Sequence, residues 1–214
     1  MTIAGVIFDC DGTLVDSERL AAGLLQQLLR EQRIELPVDN VLQRFRGIPF
    51  AQFIGELVAL YPALDGTHLA QEFRHRSLPL LRDQVTEMPG AVAFVRDLRL
   101  PVCVASNGPR AKIETSLGAV GLLGMFATRI VSAYEVNAWK PSARLIEYAA
   151  DLLGLPANEC LLVDDSIAGV QAGISAGAQV AGYGETDFSA FAGLANFYPV
   201  RDYAELQTLV KRLS

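Results

Sequence analysis

The chain has 214 residues, 51% of them hydrophobic, and a formal net charge of −6. This length can bury a full core and an inserted segment, while the acidic balance and scattered basic residues argue against a nucleic-acid partner. No run approaches the roughly 18 apolar residues of a membrane-spanning helix, so we expect a soluble protein without a membrane partner.

The first predicted element is a buried strand that ends in acidic residues. Residues Ile3 to Phe8 are apolar and partly β-branched, and the run Asp-Cys-Asp-Gly-Thr follows at positions 9–13. A spacing of two in extended chain directs the carboxylates of Asp9 and Asp11 to one side. Gly12 permits the sharp turn that must follow.

A helical insertion is predicted next. Four helical patterns follow one another without a strand between them, at residues 20–33, 38–45, 50–60 and 69–81. Val15 to Ser17 and Pro89-Gly90 mark the exit from the sheet and the return to it, and two such connections can act as a hinge for a lid. The sequence therefore predicts a helical cap domain at 17–87 and an α/β core domain formed by 1–16 and 88–214.

Strands and helices alternate after the insertion. Strands are predicted at 101–105, 129–131 and 161–163, with a final strand at 179–183. Helices are predicted at 91–98, 112–120, 142–153, 167–176 and 203–213. This alternation is typical of a parallel sheet. The predicted fold class is α/β, with a Rossmann-like parallel-sheet core and an inserted α-helical cap domain.

Acidic side chains end two of these strands. If the strand before Asp164 and Asp165 neighbours the first strand, they share a small volume with Asp9 and Asp11. Like charges about 4 Å apart repel by about 4 kcal/mol at an effective dielectric near 20, so the group should take up protons or bind a divalent cation. Oxygen ligands suit magnesium, and no His or Cys set favours zinc. We predict Mg²⁺ as the cofactor.

Phosphate-binding groups follow other strands. Ser106 leads Asn107-Gly108, and Lys140 precedes a predicted helix. Such donors would complete a phosphate cradle, in which Asp9 attacks phosphorus while Asp11 protonates the leaving oxygen and later takes a proton from water. Each motif alone has a simpler explanation, as a helix cap, a turn or a solvated charge. Their combination favours phosphoryl transfer.

The ordered motifs resemble those of the haloacid dehalogenase-like hydrolase superfamily. Within it, the helical insertion resembles the cap of the β-phosphoglucomutase-like phosphatases. Longer stretches resemble the bacterial 6-phosphogluconate phosphatases and related sugar phosphatases: Arg44-Phe45-Arg46-Gly47, Ser106-Asn107-Gly108-Pro109, Trp139-Lys140-Pro141 and Leu162-Val163-Asp164-Asp165-Ser166. The resemblance implies a magnesium-dependent phosphatase that hydrolyses a small sugar or sugar-acid phosphate through an aspartyl-phosphate.

The resemblance also implies a role for each site residue. The implied magnesium ligands are Asp9, the backbone carbonyl of Asp11, and the pair Asp164 and Asp165. The implied phosphoryl contacts are Ser106 and Lys140, with Thr13 and Asn107 beside them. Arg46 and Glu18 are candidate substrate contacts from the cap. A solvated Arg46, and a Glu18 that merely complements a helix dipole, remain open alternatives.

Other functions fit the sequence less well. Phosphomutases of this group carry a His shortly after the first Asp motif, where this chain has Leu20-Ala21-Ala22. A dehalogenase would not need Asp11, and a phosphonate-cleaving relative would need a cap lysine, which residues 17–87 lack. A signalling receiver domain has no helical insertion, and a non-catalytic metabolite binder would not need every catalytic position filled. A lid on the same chain would allow the enzyme to act as a monomer.

The cysteines bear on location. Cys10, Cys103 and Cys160 are odd in number, and each lies in or beside an apolar run. This favours buried, reduced thiols over a disulfide framework. With no basic segment and apolar stretch at the N-terminus, we predict a cytoplasmic location.

Overall fold

The computed structural model describes residues 2–45, 50–126 and 128–214. The chain divides into two compact units, Met1–Asp16 with Thr86–Ser214 and Ser17–Val85. Within the described residues, no helix has both the length and the apolar character to cross a membrane.

The first unit is built on a sheet. The strands of the chain are β1 (Gly5–Phe8), β2 (Val15–Asp16), β3 (Thr86–Glu87), β4 (Val102–Ser106), β5 (Ile130–Ser132), β6 (Cys160–Asp164), β7 (Gln179–Tyr183) and β8 (Phe197–Val200). Six of them form one sheet in the order β5-β4-β1-β6-β7-β8, and every pair in it is parallel. The short strands β2 and β3 pair antiparallel where the chain leaves and re-enters this unit.

Helices cover the sheet and form the second unit. Those of the second unit are α1 (Glu18–Glu31), α2 (Val38–Phe45), α3 (Phe50–Leu60) and α4 (Gly66–Gln84). Those of the first unit are α5 (Ala91–Asp97), α6 (Arg110–Ala119), α7 (Leu123–Phe126), α8 (Ala133–Val136), α9 (Ala143–Leu153), α10 (Ile167–Ser175) and α11 (Tyr203–Leu213). Single 3-10 turns occur at Ala157–Glu159 and Ser189–Phe191.

Both faces of the sheet are covered, which explains the unbroken apolar run of β1. Ile7 of β1 packs in one cluster with Leu145 of α9 and Val170 of α10. The next side chain, Phe8, points to the other face, where its ring meets that of Phe94 edge-on at a centroid distance of 6.2 Å. A central strand buried on both sides has no solvent face and therefore no polar alternation.

The helical unit has its own core. Leu25 and Leu29 of α1 pack with Phe53 of α3 and Leu69 of α4 in one apolar cluster. The N-cap of helix α4 is Asp65, whose side chain accepts a hydrogen bond from the backbone N–H of His68 at 2.9 Å. Such an N-cap satisfies a donor that the first helical turn leaves unpaired.

The predicted Rossmann-like α/β fold is confirmed, and one strand prediction was wrong. The strand at 179–183 is not the last, because β8 follows it and pairs with β7. Pro199 lies within β8, and a proline usually argues against a strand since it cannot donate to the ladder. It is tolerated because β8 is an edge strand.

Candidate active site

The site is set by the register of three neighbouring strands. Phe8 of β1 pairs with Val104 of β4 on one side and with Val163 of β6 on the other. The backbone N–H of Asp9 donates to the carbonyl of Val163 at 2.9 Å. Because parallel strands end at the same edge of a sheet, Asp9, Ser106 and Asp164 are brought to one place.

Lys140 lies between two of the acids. Its Nζ donates to Asp9 Oδ1 at 2.5 Å and to Asp164 Oδ2 at 2.7 Å. The side chains of Lys140 and Asp164 are 3% and 0% exposed. A buried ammonium is stable here only because carboxylates compensate its charge, so Lys140 links the two acids that follow and end the paired strands β1 and β6.

The other oxygen of Asp164 is also occupied. Oδ1 accepts hydrogen bonds from the backbone N–H of Ser166 at 2.9 Å and from its hydroxyl at 2.7 Å. Ser166 in turn caps α10 by accepting from the N–H of Gly169 at 3.0 Å. Capping is therefore performed by Ser166, while the Asp164 side chain is directed into the site.

Gly169 is required by this arrangement. A Cβ at that position would lie 1.9 Å from the carboxylate of Asp164. Only a residue without a side chain allows α10 to approach the acid this closely, and the helix then encloses it completely.

Asp165 faces the turn after β1. Its Oδ1 accepts a hydrogen bond from the Thr13 hydroxyl at 3.1 Å, and the Thr186 hydroxyl donates to its backbone carbonyl at 2.7 Å. Gly12 has a φ of +75°, and a Cβ there would lie 2.3 Å from Asp165 Oδ2. Gly12 therefore serves both the left-handed turn and the close approach of the acid.

The loop after β4 connects Ser106 to Lys140. The Ser106 hydroxyl oxygen accepts from the N–H of Gly108 at 3.0 Å, and the Ser132 hydroxyl donates to the Gly108 carbonyl at 2.7 Å. Asn107 accepts from the backbone N–H of Lys140 at 2.8 Å and donates to its carbonyl at 3.3 Å. Asn107, which we predicted to contact substrate, joins the loops that carry Ser106 and Lys140, and its contact with substrate stays a prediction.

Asp11 has a cationic partner that the sequence analysis missed. Lys112 of α6 donates from Nζ to Asp11 Oδ2 at 2.7 Å, and the two side chains are 28% and 20% exposed. Burial opposes the charge on Lys112, but attraction to Asp11 outweighs it and raises the lysine pKa above its ordinary value. The sequence signal for this ion pair was weak. A cation in the first turn of a helix opposes the helix dipole, which favours a carboxylate close to Lys112.

Burial and the neighbouring charges shift the pKa values of both Asp9 and Lys140. Burial, opposed by Lys140 but assisted by the carboxylates of Asp164 and Asp11, raises the pKa of Asp9 to about 7. Burial alone would lower the pKa of Lys140, but attraction to Asp164 and Asp9 outweighs it and raises that pKa. A further positive charge near Asp9 would favour its carboxylate form.

The oxygen atoms of the site fit a hard divalent cation that takes its remaining ligands from water and from substrate phosphate. In the parts of the chain that the structure describes, no three His, Cys, Asp or Glu residues form a ready metal-binding cluster. Magnesium does not need one, because it commonly takes one or two carboxylates together with waters and substrate phosphate. Asp9 follows β1 and Asp165 follows β6, and these two strands are adjacent in the sheet, so both residues can supply carboxylate oxygens. The backbone carbonyl of Asp11 lies on the turn after β1.

Two predicted substrate contacts belong to the segment predicted as the cap. Arg46 falls outside the described residues, so its predicted role stays a prediction. Glu18 is the first residue of α1 and belongs to the helical unit.

Comparison with known proteins relates this geometry to a family. The chain matches the family model of the haloacid dehalogenase-like hydrolases over residues 3–177. It is 36% identical over 180 residues to 6-phosphogluconate phosphatase of Escherichia coli strain K12, covering 83% of this chain and 81% of that protein. It is 30% identical over 187 residues to hexitol phosphatase A of the same strain, covering 84% and 82%.

Solved structures agree with the sequence matches. The crystal structure of a hydrolase of this family from Deinococcus radiodurans R1, which holds bound phosphate and sodium, has a TM-score of 0.83 to this chain at 26% identity. The match covers 99% of this chain and 96% of that one. The similarity therefore extends through both units.

Proposed function

Because the chain belongs to the haloacid dehalogenase-like hydrolase family and is a phosphatase, we propose that it hydrolyses a small sugar or sugar-acid phosphate, with magnesium, through an aspartyl-phosphate at Asp9. The observation that carries the proposal is the contact of Lys140 with both Asp9 and Asp164 at the end of the central strand. A nucleophilic carboxylate held beside a buried cation is suited to attack a phosphate, whose negative charge would otherwise repel it.

The first half of the reaction transfers the phosphoryl group to the enzyme. A carboxylate oxygen of Asp9 forms a bond to phosphorus, and the bond from phosphorus to the ester oxygen breaks. The leaving oxygen takes that electron pair and a proton from Asp11. Ser106 and Lys140 hold the phosphoryl oxygens while the charge moves.

The second half regenerates the enzyme. Water forms a bond to phosphorus and gives a proton to Asp11, and the bond between phosphorus and Asp9 breaks. Inorganic phosphate leaves, Asp9 is again a carboxylate, and Asp11 is again protonated for the next turnover.

Magnesium would be held by Asp9, Asp165 and the backbone carbonyl of Asp11, and when bound it neutralises phosphate charge. The carboxylate of Asp164 binds Lys140 and Ser166 instead. This supports an indirect role for Asp164, namely to fix the lysine beside Asp9.

The substrate class is supported by the relatives. The E. coli proteins are named for 6-phosphogluconate and for hexitol phosphates, which are both linear phosphorylated polyols, and the Deinococcus hydrolase binds phosphate. We propose that the helical unit Ser17–Val85 is the cap that selects the substrate, with Glu18 and Arg46 as candidate contacts. The buried, free thiols of Cys10, Cys103 and Cys160 suit the reducing cytoplasm.

The experiment is a phosphate-release screen of the purified protein with magnesium. The panel contains 6-phosphogluconate, hexitol phosphates, aldose and ketose phosphates, glycerol phosphate and nucleotides. We expect the sugar-acid and hexitol phosphates to be hydrolysed fastest, and Asp9→Asn to lower turnover by at least about a thousandfold, as removal of a nucleophile does.

The matched control is Asp151→Asn, a charge-neutralising change at an exposed position of α9. It should leave turnover unchanged, and circular dichroism should show both variants folded. Full activity of Asp9→Asn would exclude the mechanism. A clear preference for nucleotides would exclude the substrate class alone.

A further inference from the structure

The ion pair between Lys112 and Asp11 has no assigned role in the reaction described above. Lys112 lies on α6, and Asp11 on the turn after β1. The 2.7 Å contact joins groups 101 positions apart in the chain, so it fixes the first turn of α6 against the turn that carries the proposed acid. A fully exposed ion pair would add little to stability. The side chains of Lys112 and Asp11 are only 28% and 20% exposed, so that argument does not apply to them in full.

The surroundings of this pair place it beside the phosphoryl site. A Cβ at Gly108 would lie 3.4 Å from the Ser106 hydroxyl oxygen, 3.7 Å from Asp11 Oδ2 and 3.7 Å from Lys112 Cδ. Three groups from β4, α6 and the turn after β1 therefore converge around one glycine. Lys112 is thus next to the serine that is proposed to hold the phosphoryl group, on the side of Asp11.

We propose that Lys112 is a positioning residue for Asp11: by donating to Oδ2, it fixes the orientation of this carboxyl group and leaves Oδ1 to carry the proton that passes to the leaving oxygen. The inference rests on the proposed function of Asp11. A carboxyl group at the end of a flexible bond must be held in place to transfer a proton efficiently. The pair with Lys112 supplies that constraint from a helix, which is a rigid element.

Dependence on the leaving group distinguishes this role from others. An alkyl phosphate releases a strongly basic alkoxide, which needs the proton, whereas p-nitrophenyl phosphate releases a weakly basic phenolate, which does not. The quantity to compare is kcat/KM, because it reports steps up to the first phosphoryl transfer. A residue that acts through the acid should affect only the alkyl ester.

The variants are Lys112→Met, which keeps the length but removes the charge, and Lys112→Arg, which keeps the charge. Lys211→Met, on the exposed end of α11, is the matched control. The alkyl ester is 6-phosphogluconate. If the wild-type protein hydrolyses another alkyl phosphate of the panel faster, that substrate is used in its place. We expect Lys112→Met to lower kcat/KM for it by about 10- to 100-fold, which is at most the lower end of the roughly hundredfold to ten-thousandfold that general acid catalysis contributes, because the acid is misplaced and not removed.

For p-nitrophenyl phosphate the same variant should stay within about threefold of wild type, since no acid is needed. Lys112→Arg should recover most of the loss, and Lys211→Met should match wild type. In an Asp11→Asn background, Lys112→Met should have almost no further effect, because residues that act as a unit are not additive.

Other outcomes would overturn the inference. An equal loss on both esters would indicate a structural role or a direct phosphate contact, and an unchanged alkyl ester would indicate no role. An additive loss with Asp11→Asn would show that Lys112 acts independently of Asp11. If wild-type protein released no phosphate from any ester, the proposed function would fail, and this inference with it.

Discussion

Tyr203 donates a hydrogen bond from its hydroxyl to the backbone carbonyl of Thr13 at 2.7 Å, across 190 positions of the chain. Tyr203 is the first residue of α11, and Thr13 is on the turn that carries the proposed acid. The ring of Tyr203 is buried between those of Phe94 and Tyr183, at centroid distances of 5.3 and 5.2 Å. The last helix of the first unit therefore holds the catalytic turn in place.

Removal of this hydroxyl should affect both stability and turnover. Tyr203→Phe leaves the buried carbonyl of Thr13 without this donor, which costs about 1–3 kcal/mol, or about 2–4 °C in Tm for each kcal/mol. We also expect a severalfold lower kcat. Tyr198→Phe is the control, because the hydroxyl of Tyr198 contacts the side chain of Gln179 and the carbonyl of Ala195, both away from the turn that carries Thr13 in the chain. Equal kcat values in the two variants would contradict the positioning role of Tyr203.

Gly169→Ala should disrupt the site, although Gly169 has no proposed contact with substrate. The added Cβ would lie 1.9 Å from the Asp164 carboxylate, so the acid or α10 must shift and Lys140 loses a partner. We expect a large loss of phosphate release together with a lower Tm. Gly23→Ala, within α1 and with nothing within 4 Å of the new Cβ, should instead stabilise the protein by about 0.5–1 kcal/mol. Wild-type turnover in Gly169→Ala would show that Asp164 need not stay where it is.

Removal of divalent cations should abolish turnover. Protein treated with EDTA and transferred to metal-free buffer should release no phosphate, and Mg²⁺ should restore the rate better than the larger Ca²⁺, which prefers more ligands at longer distances. Asp165→Asn should raise the Mg²⁺ concentration for half-maximal rate by about tenfold or more, while Asp151→Asn should not change it. Undiminished activity in EDTA would contradict the magnesium proposal.

The thiols should be inert in the folded protein. Burial raises the pKa of Cys103 to about 12 and that of Cys160 to about 11, and burial raises that of Cys10 well above its ordinary value. Since the thiolate is the reactive form and is populated only as the pH approaches the pKa, iodoacetamide at pH 8 should label none of them. Mass spectrometry should show full labelling in guanidinium chloride. Rapid labelling of native protein would mean that the core opens readily.

The sequence was most informative where a local pattern decides the structure. The apolar runs that became β1, β4 and β6 were recognisable, because strands covered on both faces lack polar alternation. The residues at their ends followed from topology, since parallel strands end at one edge. Strand β8 was not predicted; its proline argues against a central strand but is tolerated at an edge.

Contacts between distant segments could not be predicted. The amide of Asn107 bonds the backbone of Lys140, Lys112 pairs with Asp11, and Gly169 meets Asp164. Nothing in the local sequence of these residues identifies the partner, because the distance between two segments depends on how helices pack on the sheet. The roles predicted for the site residues remain for the experiments above to test.

The central position of β1 has a consequence for synthesis of the protein. The strand pairs with β4 and β6, both of which follow it in the chain, so this apolar segment waits on the ribosome for its first neighbour. From Phe8 to Val102 the delay is roughly 90 residues, or about 5–20 s at usual elongation rates. During this interval the helices α1 to α4 can fold locally, whereas the nascent strand is a natural target for chaperones. Activity that returns when the unfolded protein is refolded would therefore report that the sheet has assembled completely.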